Sequence, residues 1–343
     1  MKRPARGPMR PRLLLDGVLL IDKPLGLSSN DVLIKAKGML RAKKAGHTGT
    51  LDPLASGLLP VCFGEATKFS QDLLDADKTY EATMQLGARS TTGDAEGEII
   101  DRRPVEVTFA QLAPVFARFT GTIAQVPPMY SALKRDGKPL YEYARAGVEV
   151  EREAREVQIL ALTVLSDEGP LLQDGQVRFR VTCSKGTYVR TLAEDLGEAL
   201  GCGAYLIALR RTGVATLSID DAITLDALQE RADAVWGAKE GGETSDDVRE
   251  RQAEAATAAI SACLQPVDAL LQRLPQVTLD AAFSTRFLHG QRLRLAAGAV
   301  DMPEGYAGLV RVYAADAAAP RLLGTANWDD GLLAPARLIG TGG

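Results

Sequence analysis

A single aspartate, Asp52, stands before Pro53 in the run GHTGTLDPLASGLLP, residues 46–60. Asp before Pro is commonly just a turn residue, but this neighbourhood suggests more. Pro53 biases Asp52 towards extended backbone, and Gly46, Gly49 and Gly57 let the chain approach a ligand closely, so the whole run reads as an ordered loop. The same loop holds His47, one of two histidines in the chain. A carboxylate held there can attack an electrophilic carbon or stabilise a developing cation. A glycosidase would need a second carboxylate at a set separation, and no other acid in a comparable glycine-rich loop stands out. Metal chemistry lacks ligands: the histidines are His47 and His289, and Cys62, Cys183, Cys202 and Cys263 show no paired spacing. No metal and no cofactor is expected, and the cysteines read as reduced, mostly buried thiols.

The elements that must position this loop are visible as periodicities. GVLLIDKP (17–24) is a short buried strand ending at Lys23 and Pro24, and Ser28 or Ser29 then caps a helix with the stripe Val32, Leu33, Ala36 and Leu40. A helix is expected near residues 65–75. YEATMQL alternates Tyr80, Ala82, Met84 and Leu86 against polar residues, which makes a half-buried strand with Tyr80 on its apolar face. Val177, Phe179, Val181 and Cys183 repeat that pattern; SKG turns, and Leu192, Leu196 and Leu200 mark a helix stopped by Gly201. Tyr188 and Arg190 fall where strand hands over to helix, and a further strand around AYLIALRRT carries Leu209, Arg210 and Arg211. Beyond Pro275 a short helical piece leads into RLRLAA, YAGLVRVYA, RLLGTANW and APARLIG, the pattern of a small β-barrel.

The 343 residues suit one large and one small domain, and 46% hydrophobic with 24% charged residues is a globular composition. No apolar run approaches the roughly 20 residues that span a bilayer, and Asp16 interrupts Leu13–Leu15 too soon for a signal peptide, so a cytoplasmic protein is expected. A net charge of −4 looks wrong for a nucleic-acid binder, but residues 226–254 hold nine acids against four bases, leaving the rest net positive. Two acid-free basic runs stand out, the N-terminal arm and IKAKGMLRAKKAGH with Lys35, Lys37, Arg41, Lys43 and Lys44. Residues 125–145 mix Lys134, Arg135, Lys138 and Arg145 with three tyrosines, as an RNA-gripping insertion would. Charge alone leaves solvated surface equally open for both.

Four segments, GVLLIDKPLGLSSN (17–30), GHTGTLDPLASGLLP (46–60), KTYEA (78–82) and CSKGTYVRTLAEDLG (183–197), together resemble in order and spacing the motifs of the TruB-type tRNA pseudouridine synthases. The resemblance spans about residues 17–228, and the terminal barrel looks like the PUA domain that follows the catalytic domain in this family. It implies an α+β fold with a mixed, mainly antiparallel sheet. The implied organisation is a flexible basic arm (1–12), a catalytic domain (13–231) with an insertion at about 125–155, an acidic flexible excursion (232–256), a connecting helix (257–274) and a PUA-like domain (275–343).

The implied activity is isomerisation of a T-loop uridine of tRNA, position 55, to pseudouridine. The bacterial branch, acting as a monomer without guide RNA or obligatory protein partner, fits better than the guide-dependent branch, because no long basic tail is present. Residue by residue, Asp52 matches the nucleophile and Arg190 its basic partner. Tyr80 matches the tyrosine that stacks on uracil and is a candidate base. His47 matches the histidine that stabilises the opened RNA loop, Tyr188 and Leu209 match further walls of the uridine pocket, and Lys23 and Pro24 match the support beneath the catalytic loop. Asp52 is expected to lie dry beside the Arg190 guanidinium. The rival reading is a tRNA-binding protein without catalysis, for which the basic runs and the barrel would suffice.

Overall fold

A computed structural model describes residues 12–131, 133–165, 174–236, 246–296, 300–315 and 320–340, with the backbone alone at 246–252. Eight strands form the main path of one large sheet. In chain order we label β1 (Gly17–Lys23), β2 (Ala55–Phe63), β3 (Lys78–Leu86), β4 (Gly121–Gln125), β5 (Arg155–Val164), β6 (Gln176–Cys183) and β7 (Ala204–Val214). The spatial order is Ile223–Thr224, β1, β2, β7, β3, β6, β5, β4. β2 runs parallel to β7, and β1 parallel to Ile223–Thr224; the other pairs along the path are antiparallel. The sheet is therefore mixed and mainly antiparallel.

Helices cover it because alternate strand residues are apolar and need partners. Helix α1 (Ser29–Met39) packs Val32 and Ala36 against Leu19, Ile21 and Leu59, and helix α2 (Val189–Ala199) packs Leu192, Ala193 and Leu196 onto the half built from β3, β6 and β7. Each fully buried Leu or Val there contributes about 2 kcal/mol relative to exposure. Of the two serines open as cap of α1, Ser28 takes the role in a reciprocal capping box with Asp31. That frees Ser29 for the loop that carries Asp52.

Several expectations are corrected. The run 46–60 is not one loop: Ala45–His47 is a short strand, and Ala55 onwards is β2. Gly57 does not break β2 but lets it pass β7, since a Cβ there would come 2.2 Å from the Arg211 carbonyl oxygen. Residues 65–75 form two 3₁₀ turns, Gly64–Lys68 and Ser70–Leu73, which wedge Ala66, Phe69 and Leu73 into a tight core.

The acidic stretch is not wholly an excursion. Helix α3 (Leu225–Trp236) occupies its start, and helix α4 (Asp246–Ser261) its end, extending into the expected connector. A narrow stripe, Ala253, Ala256 and Ile260, hides in that polar composition and packs with Leu225 and Leu228. Residues 262–274 continue with a 3₁₀ turn at Val267–Leu271 in place of helix. Residues 1–11 of the basic arm and 237–245 of the acidic stretch lie outside the described residues.

The C-terminal unit orders its strands as Gln276–Leu279, Gly308–Ala314, Arg321–Asp329, Leu332–Leu338 and Leu293–Arg294. Leu279 is thus strand, and the helix runs from Ala281 to Leu288, capped by Asp280. The two outer strands do not pair, so the sheet curls as a half-barrel of the PUA-like kind. Polar contacts seat it on the larger unit: Tyr313 donates to Asp268 at 2.7 Å, and Lys68 to the Leu338 carbonyl at 3.0 Å.

Candidate active site

Residues 48–54 cross from the short strand at Ala45–His47 to β2, and two neighbours shape the crossing. The Ser29 hydroxyl accepts from the Leu51 N–H at 2.8 Å and donates to the Leu51 carbonyl at 3.1 Å. The Gly26 N–H donates to the Pro53 carbonyl at 2.9 Å. Asp52, between these clamped residues, points outward with 55% of its side chain exposed, 3.3 Å from Nη2 of Arg190. The carboxylate is therefore not held dry, contrary to expectation: the guanidinium beside it is 11% exposed, but the anion faces solvent.

Arg190 is fixed by other groups. Its guanidinium donates to the Asp94 carboxylate at 3.0 Å, the Tyr130 carbonyl at 2.8 Å and the Thr92 carbonyl at 3.3 Å. Asp94 is buried, and accepts in addition from the Thr92 hydroxyl at 2.5 Å and the Glu96 N–H at 3.1 Å. Charge-assisted bonds in a shielded place hold geometry well, so Asp94 sets the guanidinium and Asp52 rests against it. Sequence reasoning missed Asp94, because TTGDAEG reads as an ordinary turn. Tyr188 precedes α2 and is tied by its backbone to the buried side chain of Gln125, at 3.1 and 3.3 Å. Burial pushes the Tyr188 phenol up.

The opposite wall is sheet. Tyr80 of β3 stands directly across from Arg211 of β7, and Leu209 pairs with Ala82 on one side and Ala55 on the other. Burial pushes the Tyr80 phenol up, and the adjacent Arg211 guanidinium opposes that rise. Arg211 is 1% exposed and donates to the Leu58 carbonyl at 2.8 Å and the Gly49 carbonyl at 3.2 Å. The sequence placed this arginine beyond Leu209 without a role. Burial, with Arg211 second, holds the His47 imidazole below its ordinary range, so it is neutral at pH 7, and its Nδ1 is buried without a partner.

Lys23 is fully buried, and Nζ donates to the carbonyls of Pro24 at 3.0 Å and Leu27 at 2.5 Å. Burial lowers its pKa and the Asp52 anion opposes this most strongly. Pro24 itself is exposed and enters through its carbonyl. Lys23, Tyr80, Tyr188 and Arg190 thus all reach the field of Asp52, while His47 and Leu209 border it through Arg211 and Ala55. Of the basic residues singled out in the sequence, Lys35, Lys43, Lys44, Lys134, Arg135, Lys138 and Arg145 are all exposed.

Solved structures share this architecture. A Cbf5–Nop10–Gar1 complex matches with a TM-score of 0.66 and 27% identity over 95% of this chain and 84% of that one. The archaeal box H/ACA complex of Nop10 and Cbf5 matches with a TM-score of 0.63 and 26% identity, covering 92% and 79%. Three family models match in succession: the TruB family pseudouridylate synthase N-terminal domain at residues 37–189, the tRNA pseudouridylate synthase B C-terminal domain at 190–272, and the pseudouridine synthase II TruB C-terminal model at 275–339. Fold and family models together define an enzyme of the pseudouridine synthase class. Among relatives, the tRNA pseudouridine synthase B of Burkholderia lata is 62% identical, covering 97% of this chain and 93% of that protein. The protein of that name from Ralstonia pickettii is 58% identical over 96% of each. The chain belongs to the TruB family of pseudouridine synthases.

Proposed function

We propose that the chain isomerises a uridine in the T-loop of tRNA, at position 55, to pseudouridine, with Asp52 as the reacting carboxylate. It acts as a cytoplasmic monomer, without cofactor, guide RNA or obligatory protein partner. The observation that carries this reading is the pairing of Asp52 with Arg190 at 3.3 Å on a loop faced by Tyr80 and Tyr188. Relatives named for tRNA pseudouridine synthesis, 62% identical, supply the substrate class.

The reaction breaks the bond from C1′ to N1, turns the uracil and joins C1′ to C5; N1 gains a proton and C5 loses one, so nothing is consumed. Such chemistry needs an anion close to the sugar and the ring, a flat face to hold the turning base, and no water. Asp52 provides the anion, for attack at C1′ or C6 or for stabilising charge at the sugar. Arg190 aims it from an anchorage independent of the substrate. Tyr80, Tyr188 and Leu209 form the walls of the slot.

The extruded uridine supplies the missing lid. Flipping costs a few kcal/mol, repaid by stacking, and the base then covers an anion now in water. Neutral His47, on the short strand that leads into the loop, is the side chain for the space the base leaves. The exposed lysines and arginines of the basic runs suit phosphate contacts.

The deciding experiment uses tRNA carrying tritium at C5 of its uridines. The expected outcome is release to water of one tritium per tRNA, mapped to position 55. A protein that only binds tRNA would release none, and release from another position would overturn the assignment to the T-loop.

A further inference from the structure

Arg211 is a full positive charge inside the protein, and among the described residues no carboxylate is paired with it. A guanidinium cannot shed its proton to escape burial, so its desolvation stands as a cost of several kcal/mol against whatever it bonds. It donates to two carbonyls, and a phenol is its direct neighbour across the sheet. They lie on three separate pieces of the site: Gly49 in the catalytic loop three residues before Asp52, Leu58 in β2, and Tyr80 in β3.

The register makes this possible. Gly57, Arg211 and Tyr80 are direct neighbours across β2, β7 and β3, so a side chain at 211 lies in one row with Tyr80. The missing side chain at Gly57 lets β2 close on the Arg211 backbone, and the guanidinium passes under the loop, with Nη1 3.4 Å from where a Gly49 Cβ would be. The adjacent Arg210 points the other way and forms a two-pronged pair with Asp22 at 3.0 and 2.7 Å. An apolar side chain of similar volume would fill the space below the loop without the desolvation cost. It could not hold the loop and the phenol to each other.

We propose that Arg211 is a positioning residue for the isomerisation: it locks the Asp52 loop and the Tyr80 hydroxyl into one unit, so that carboxylate and stacking ring keep a fixed separation while the uracil turns between them. Arg211 touches no RNA and acts through Gly49 and Tyr80. The proposal rests on the roles given above to Asp52 and Tyr80.

The test measures single-turnover tritium release and equilibrium tRNA binding for the wild type, Arg211→Met, Arg211→Lys, Tyr80→Phe and the corresponding double variants, with thermal melting alongside. Arg211→Met is expected to slow release about 100-fold with tRNA affinity within about threefold, and Arg211→Lys to recover about tenfold. Combined with Tyr80→Phe, either substitution should add less than about threefold to the loss, because the hydroxyl it positions is already gone. A release rate within threefold of wild type, affinity falling in parallel with rate, or fully multiplicative losses would each overturn the proposal. If Arg211→Met does not fold, the cycle with Arg211→Lys decides on the same criterion. A wild type that releases no tritium removes the proposed function itself, whereas an active wild type with additive losses removes only the role of Arg211.

Discussion

The two units of this molecule treat buried polarity in opposite ways. Among the described residues three charged side chains are buried, Lys23, Asp94 and Arg211, and each lies beside the Asp52 loop or holds a residue that does. Among the described residues of the C-terminal half-barrel the buried polar side chains are the neutral Ser284 and Thr325, set around Val277, Phe287, Val312, Leu323 and Leu333. Burying a charge opposes folding unless it is paired and fully bonded, so a core shaped for stability alone avoids it. The larger unit places its charges around the Asp52 carboxylate and the Tyr80 phenol. Under the proposed function these charges serve aim rather than folding, and the contrast can be broken at either end.

Asp52→Asn should have the largest effect. Single-turnover product formation is expected to fall by about 10⁴-fold or more, while tRNA affinity by filter retention changes only a few-fold, since the amide keeps shape but loses nucleophilicity. Retained turnover would remove Asp52 from the chemistry. Asp94→Asn should follow, with the rate reduced about 10³-fold, because Arg190 loses the buried anion that fixes it and keeps only carbonyls and an exposed partner. Asp94 is buried beneath Arg190, so binding should hold; a rate near wild type would show that Arg190 is aimed without it.

The half-barrel should respond in stability and not in chemistry. Leu333→Ala empties a fully buried position and is expected to destabilise by about 3 kcal/mol in calorimetry, leaving tritium release at 25 °C within twofold. A rate that falls with stability would mean that the two units are coupled in the chemical step. The smallest effect is expected at Asp195, whose carboxyl is pushed up to about 6 by burial, with Glu198 adding to it. An acid with a raised folded-state pKa favours folding while protonated, and that benefit is lost as pH rises from about 4 to 6. Asp195→Asn should therefore stabilise by about 1 kcal/mol at pH 7 after allowance for solvent screening, and by nothing at pH 3, with unchanged release. Stabilisation independent of pH would refute this account of a half-buried charge with no chemical task.

Much of this site can be read without coordinates. Asp52, His47, Tyr80, Tyr188 and Arg190 lie in segments whose residue types are unusual enough to be recognised together, and the alternation in YEATMQL and VRFRVTC places the strands that carry or precede them. The residues that hold these groups still have no such signal. Ser29 differs from Ser28 only in which backbone it reaches across 22 residues of chain. Asp94 looks like a turn residue until α2 delivers Arg190 to it.

Local chemistry in the chain determined which groups are candidates to react and which segments alternate or coil, because spacing and side-chain type act over a few residues. Tertiary structure alone decided which of two neighbouring arginines is buried. Strand alternation turns Arg210 outward to Asp22 and Arg211 inward to Tyr80, and the choice of face depends on β2 and β3 flanking β7, contacts made between segments far apart in the chain. The same long-range packing, and no local preference, left the Asp52 carboxylate facing water.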